Sequence, residues 1–368
     1  MAAEPTDYYV DPAIAGDSGA GTTGDPYGDI QHALDTVTRD ATDGDRLNIK
    51  AGTDEILAAS LDLATYGTPT ATAPLVLQGY TSSQGDGGIG GINNNSNSLF
   101  TPNSLDWIRL VDLHIHSAGS ASIVDLDNGT IVINCEIDNT TSNGLNLDTD
   151  AVIINCHIHN CGAAGVTLSS NSWVVGNYFA NGANDFVRAI QAGTNGTYLS
   201  NIISIDGASI GLDLTSTKCC IHNSVLSSSG TGKGITIGNN DIEQVYGNLI
   251  EGFSGAGGQG FDLDTLTTRP LHFYSYNAAY NNTTDYTTPH YVTLGATDNE
   301  ALGASPFDKS GSDTFANRFV YFSPVDTGNV QGGLPNGQDK GAVQSAGGSG
   351  GGPGATIIGQ SVTRAFNF

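Results

Sequence analysis

Three segments of the chain place imidazole and carboxylate groups at matching positions. Leu113-His-Ile-His116, Cys135-Glu-Ile-Asp138 and Cys156-His-Ile-His159 each alternate apolar and polar residues. Alternate side chains of an extended strand point to opposite faces. With Ile115, Ile137 and Ile158 turned inward, His114, Glu136 and His157 share one outward column, and His116, Asp138 and His159 share the next. Strands stacked side by side lie ~4.8 Å apart, and imidazoles alternating with carboxylates at that step have the ligand types for zinc or a similar divalent cation. The plainer reading, and the favoured one, is a ladder of histidine–acid pairs worth ~0.2–1 kcal/mol each, because a metal centre also needs closed geometry and a supporting shell. No other cofactor is expected.

Carboxylates make a second set. Asp125, Asn146, Thr167, Gln191, Asp213, Thr236 and Asp262 form an outward column, beside which stand Asp127, Asp148 and Asp264. Glycosidases need two carboxyl groups ~5–9.5 Å apart. Asp127 with Asp148, or Asp262 with Asp264, would meet that requirement as catalytic pairs. Aspartate at a strand end is also ordinary turn chemistry, so spacing alone gives a catalytic pair little warrant.

The elements that position these groups follow from a repeat. Residues 107–264 align with themselves at a spacing of 21 to 26. One column reads Leu113, Cys135, Cys156, Asn177, Asn201, Asn223, Asn248. Two residues later comes Ile115, Ile137, Ile158, Phe179, Ile203, Val225, Ile250, and two residues earlier Val111, Ile133, Ile154, Val175, Leu199, Ile221, Tyr246. A further strand in each repeat is announced by glycine, as in Gly144-Leu-Asn-Leu147, Gly165-Val-Thr-Leu168 and Gly234-Ile-Thr-Ile237. Each segment has the two-residue period of a half-buried strand. A coil of such strands and turns, stacked in register, predicts an all-β solenoid. Its apolar columns form the core, and its asparagine column forms an internal amide ladder. Cys135 and Cys156 then read as small buried members of that column.

The pattern resembles the right-handed parallel β-helix family, the pectate-lyase-like superfamily, over nearly the whole chain. The resemblance implies a single-stranded parallel β-helix with an N-terminal capping helix. The cap is matched by Tyr8-Tyr-Val-Asp-Pro12, Pro26-Tyr-Gly-Asp-Ile-Gln-His-Ala-Leu34 and Gly44-Asp-Arg-Leu-Asn-Ile-Lys-Ala-Gly52. Asp25 suits an N-cap and Pro26 a first helical position, with Ile30, Ala33, Leu34 and Val37 as the apolar face. Asp339-Lys-Gly-Ala-Val-Gln344 resembles the family's last strand. The expected organisation is a cap over 1–52, a β-helix body over 53–345 that loosens after 268, a Gly-rich linker over 346–355, and a short tail over 356–368.

The family includes lyases, hydrolases, adhesins and virion spikes, so fold does not give function. Pectate-type lyases use an Arg or Lys base with calcium, whereas the regular coils hold only Arg109, Arg188, Lys218 and Lys233, with no two stacked. The polygalacturonase motifs are absent from the coils as a set. Lys and Arg number 12 against 37 Asp and Glu, a net charge of −25. That field repels polyuronates, nucleic acid and anionic membranes. No apolar stretch approaches the ~20 residues of a membrane helix. The N-terminus lacks the basic start and apolar run of a secretory signal, and five cysteines, an odd number, fit reduced thiols.

These features predict a structural protein of a virion surface, such as a phage decoration, fibre or spike component. It would be made in the host cytoplasm, partnered by other virion proteins or by copies of itself as a homo-oligomer, and able to bind a surface glycan. The tail would attach it through Val362, Phe366 and Phe368, three apolar groups at alternate positions of an added strand. The alternative is a glycan-active enzyme, a hydrolase or depolymerase of the same fold, or an extracellular protein.

Overall fold

The computed structural model describes residues 4–357 apart from 17, 96, 102–104, 118, 120, 181–185, 215, 239–243, 264–272, 288–299, 311–312, 314–315, 317, 323–324, 326–339, 342 and 345–355. The chain divides into two compact units, Met1–Cys156 and His157–Phe368. Each is a parallel β-solenoid, as the repeat predicts.

In unit 1 the first sheet stacks Thr6–Val10, Asp45–Lys50, Leu75–Tyr80, Ile108–Val111, Ile131–Ile133 and Val152–Ile154 in parallel. The second stacks Glu55–Ile56, Gly90–Asn93, Leu113–His116 and Glu136–Thr140. The third pairs Val124–Leu126 with Leu145–Leu147. Ile92, Ile115 and Ile137 stand in register and are fully buried, which fixes the inward column.

The N-terminal helix covers Ile30–Thr36 and buries the expected face of Ile30, Ala33 and Leu34. It starts later than predicted. Tyr27 donates its amide to the Tyr9 carbonyl and accepts from the Asp11 amide, an extended pairing with the first strand that excludes helix there. Asp25 instead accepts from the Ala20 amide in a turn, and Asp29 is the N-cap, accepting from His32 N at 2.5 Å.

Between the first and second strands of each coil from Ile108 onward lies a corner residue with left-handed backbone. In unit 1 these are Asp112, Asn134 and Asn155, with φ of 53°, 54° and 53°; in unit 2 they are Gly176, Ser200, His222, Gly247 and Tyr276, with φ of 66°, 54°, 54°, 64° and 57°. Gly, Asn and Asp enter this region readily, whereas other side chains cost ~1–2 kcal/mol there. The corner also corrects the predicted core. Val111, Leu199, Ile221 and Tyr246, two residues before the asparagine column, are only half-buried. Their predecessors Leu110, Tyr198, Cys220 and Val245 are fully buried. A two-residue step preserves the face along a strand but not across a bend.

In unit 2 the first sheet stacks Trp173–Val175, Thr194–Leu199, Ser216–Ile221, Gln244–Tyr246 and Phe273–Ser275. The second stacks His157–Cys161, Tyr178–Ala180, Ile202–Ser204, Ser224–Leu226, Leu249–Glu251, Ala278–Tyr280 and Glu300–Ala301. The third stacks Ala164–Leu168, Arg188–Gln191, Ile210–Leu214, Lys233–Ile237, Gln259–Asp262 and Thr284–Tyr286.

The amide ladder is present, and it runs one rung further than expected, to Asn277. Asn177, Asn201, Asn223 and Asn248 each donate Nδ2 to the Oδ1 of the next asparagine at 2.9–3.0 Å. The same Oδ1 atoms accept the preceding asparagine's backbone amide at 2.9–3.1 Å. All five side chains are buried, and the chain of bonds satisfies amides that would otherwise be expensive to bury.

After the last coil the chain returns over the outer face of the second sheet. Phe307, Phe322 and Val343 bury themselves against Tyr178, Ile202, Leu226, Leu249 and Ala278. Tyr178, Ile202, Leu226, Leu249 and Ala278 put apolar groups at outward positions and need this cover. Gly341 donates its amide to the Gly247 carbonyl at 2.7 Å. At φ 92° a Cβ there would lie 2.7 Å from Leu249 Cδ1 and 2.8 Å from Ser224 Oγ. The predicted last strand is corrected: Val343–Gln344 pairs antiparallel with Thr356–Ile357 and joins no parallel stack. The linker 346–355, the attachment residues Val362, Phe366 and Phe368, and Asp264 lie outside the described residues.

Candidate functional site

His114, His116, Glu136 and Asp138 belong to unit 1, and His157 and His159 to unit 2. In unit 1 the expected outward columns form, with His114 beside Glu136 and His116 beside Asp138. The hydrogen bonds run diagonally. His114 Nε2 lies 3.4 Å from Asp138 Oδ1, and His116 Nε2 lies 3.2 Å from Asp54 Oδ2. The two imidazoles stack with centroids 5.0 Å apart. The bond to Asp138 raises the titration of His114; burial opposes the rise, and the carboxylates of Glu136, Asp138 and Asp54 add to it. Asp54 was absent from the sequence reading because it precedes the regular repeat. Gly91 beside His114 was its one signal, since a Cβ there would collide with the Asp54 carboxylate. In unit 2 His157 and His159 stack at 4.1 Å, and His157 lies 5.3 Å from the Tyr178 ring.

The second candidate is the acidic turn at the third sheet of unit 1. Asp125 and Asn146 are in register, with Nδ2 donating to Oδ1 at 2.8 Å. That register carries Asp127 and Asp148 to equivalent positions on successive coils. Asp106 joins them and accepts from Asn128 N and Nδ2, both at 2.9 Å. Burial raises the Asp127 carboxyl above its ordinary range, and the carboxylates of Asp106, Asp148 and Asp125 raise it further.

The third candidate lies on the third sheet of unit 2, where Thr167, Gln191, Asp213, Thr236 and Asp262 form the predicted outward column. Arg188 and Lys233 occupy a parallel column with Ile210 between them. Each reaches forward one coil to a carboxylate. Arg188 Nε is 2.6 Å from Asp213 Oδ2, and Lys233 Nζ is 2.5 Å from Asp262 Oδ2. Both are charge-assisted contacts between neighbouring coils. Thr167, Gln191 and Asp213 stay half-buried on the outer face, whereas Asp262 and the Thr236 hydroxyl are buried.

A pectate lyase, Pel9A, is similar in structure, with a TM-score of 0.54 and 12% identity over 92% of this chain and 96% of that one. The chain has the pectate-lyase-like fold. No family model matches this β-helix, and no curated protein matches it in sequence. At that identity the likeness concerns the path of the β-helix and leaves its chemistry to its own residues.

Proposed function

We propose that this β-helix is a non-catalytic glycan-binding protein, displayed on a virion surface as a fibre, spike or decoration component. The observation that carries the glycan reading is the outward strip of the third sheet in unit 2. Its cations are each held by a carboxylate and so serve poorly as bases for lyase chemistry. What remains is a fixed array of donors and acceptors suited to sugar hydroxyls. A surface role suits a body whose interior is tied by an amide ladder. Binding of neutral and acidic polysaccharides on an array, followed by reducing-end release, tests this. Retention without release is expected, with at least tenfold weaker retention in Thr167→Ala/Gln191→Ala. Undiminished retention in that variant would refute the strip.

The acidic turn favours a second reading, a glycoside hydrolase. Two carboxyl groups stand on successive coils, and Asp127, raised above its ordinary range, suits the acid such an enzyme needs. Release of reducing ends that Asp127→Asn abolishes would select it.

A further inference from the structure

The return of the chain over unit 2 leaves a partly open cavity of about 310 Å³. It lies where Lys309, Asp313 and Tyr321 of the covering segment face Ser204, Asp206 and Glu251 of the coils. We infer that this cavity is a binding site for one neutral, hydroxyl-rich sugar residue. The inference rests on the glycan reading above and adds a pocket that the strip does not include.

Four features point that way. The size stands at the small end of ligand sites, which span ~300–1,000 Å³, and suits a single ring over a length of polymer. Hydroxyls, carboxylates, an amide from Asn281 and an ammonium group dominate the lining, with Leu226 and Tyr321 as its large apolar surfaces. An apolar ligand would strand these groups without water. The three carboxylates outnumber the one ammonium group, so the cavity repels uronates and phosphates. Finally, each carboxylate is fixed by a bond it already holds and keeps lone pairs to offer. Glu251 takes Lys309 on one oxygen and Ser305 Oγ on the other at 2.8 Å. Asp313 takes the Tyr178 hydroxyl at 2.6 Å and Ser204. Asp206 takes the amide and hydroxyl of Ser228 at 2.8 and 2.6 Å. Preset acceptors of this kind discriminate strongly for a ligand that donates from several hydroxyls.

Saturation-transfer NMR with D-glucose, D-galactose, N-acetylglucosamine and D-galacturonate tests the site on the full chain. At least one neutral sugar should give transfer, and galacturonate none. Ser228→Trp fills the rim from an exposed position and should weaken that binding at least tenfold. Gln244→Ala, at an exposed position of the first sheet, should leave it unchanged. Retained binding in Ser228→Trp, transfer to galacturonate equal to that of the neutral sugars, or no transfer to any sugar would overturn the inference. A melting shift with calcium that Asp206→Asn removes, in place of sugar binding, would overturn it too. Monosaccharide binding without polysaccharide retention would leave the pocket standing and refute the strip.

Discussion

Glu55 offers the sharpest test of how this fold handles charge. Its strand puts it in register with Ile92, which pairs in turn with Ile115, so a carboxyl heads a column of isoleucines. Glu55 is 8% exposed, and burial, with a smaller push from the Asp29 carboxylate, raises it from 4.5 to about 7. Below pH 4.5 the carboxyl is protonated in both the folded and unfolded states and carries no penalty. Between 4.5 and 7 the unfolded chain ionises first, so the folded state binds more protons and stability falls as pH rises. Above 7 the full penalty is in place. The raised titration corresponds to ~3 kcal/mol, which water reaching one side of the carboxyl reduces to ~1–2 kcal/mol. Glu55→Gln keeps the shape and removes the charge. It should therefore melt a few degrees above the parent at pH 8, at ~2–4 °C per kcal/mol, and together with it at pH 4. Thermal melts of both proteins across pH 4–9 read this directly. An equal offset at every pH would show that the carboxyl's ionisation is not the cause.

Three further outcomes are expected. Asn223→Leu severs the ladder between Asn201 and Asn248 and takes the acceptor from the buried Asn201 N and Nδ2, so it should cost ~2–5 kcal/mol, seen as an early melt in urea. Gly341→Ala forces a side chain against Leu249 and Ser224 at a left-handed position; it should cost ~1–3 kcal/mol and expose the covering segment to limited proteolysis before the coils yield. Asp138→Asn should lower the His114 titration in NMR, because the bond to Asp138 is the largest cause of its rise. The stability that pair supplies is present below the unfolded histidine value and is lost as pH rises through the folded one.

The coils were legible because parallel stacking repeats each environment, so Ile115 and Ile137, or Asn201 and Asn223, solve the same problem with the same residue. The corner column was not, because its requirement is a backbone angle. Aspartate, asparagine, glycine, serine, histidine and tyrosine all meet that requirement here, at different energies. The covering segment was illegible for another reason: its contacts join residues more than a hundred positions apart, as between Tyr178 and Asp313. A signal existed in the outward positions Tyr178, Ile202 and Leu226, which abandon the polar pattern kept by His114 and His116. At the candidate sites the sequence supplied the columns, while the diagonal pairings and Asp54 depend on side-chain reach across coils.

The covering segment also bears on the order in which the molecule is made. Coils can stack as they leave the ribosome, since each needs only the one before it. The strip of Tyr178, Ile202, Leu226 and Leu249 waits for Phe307, Phe322 and Val343, which are synthesised later. At ~5–20 residues per second a finished but sticky face stands bare for several seconds in every nascent chain. Crowded polysomes would bring such faces together, so the yield of soluble protein should depend on holdase chaperones more than the regularity of the coils suggests.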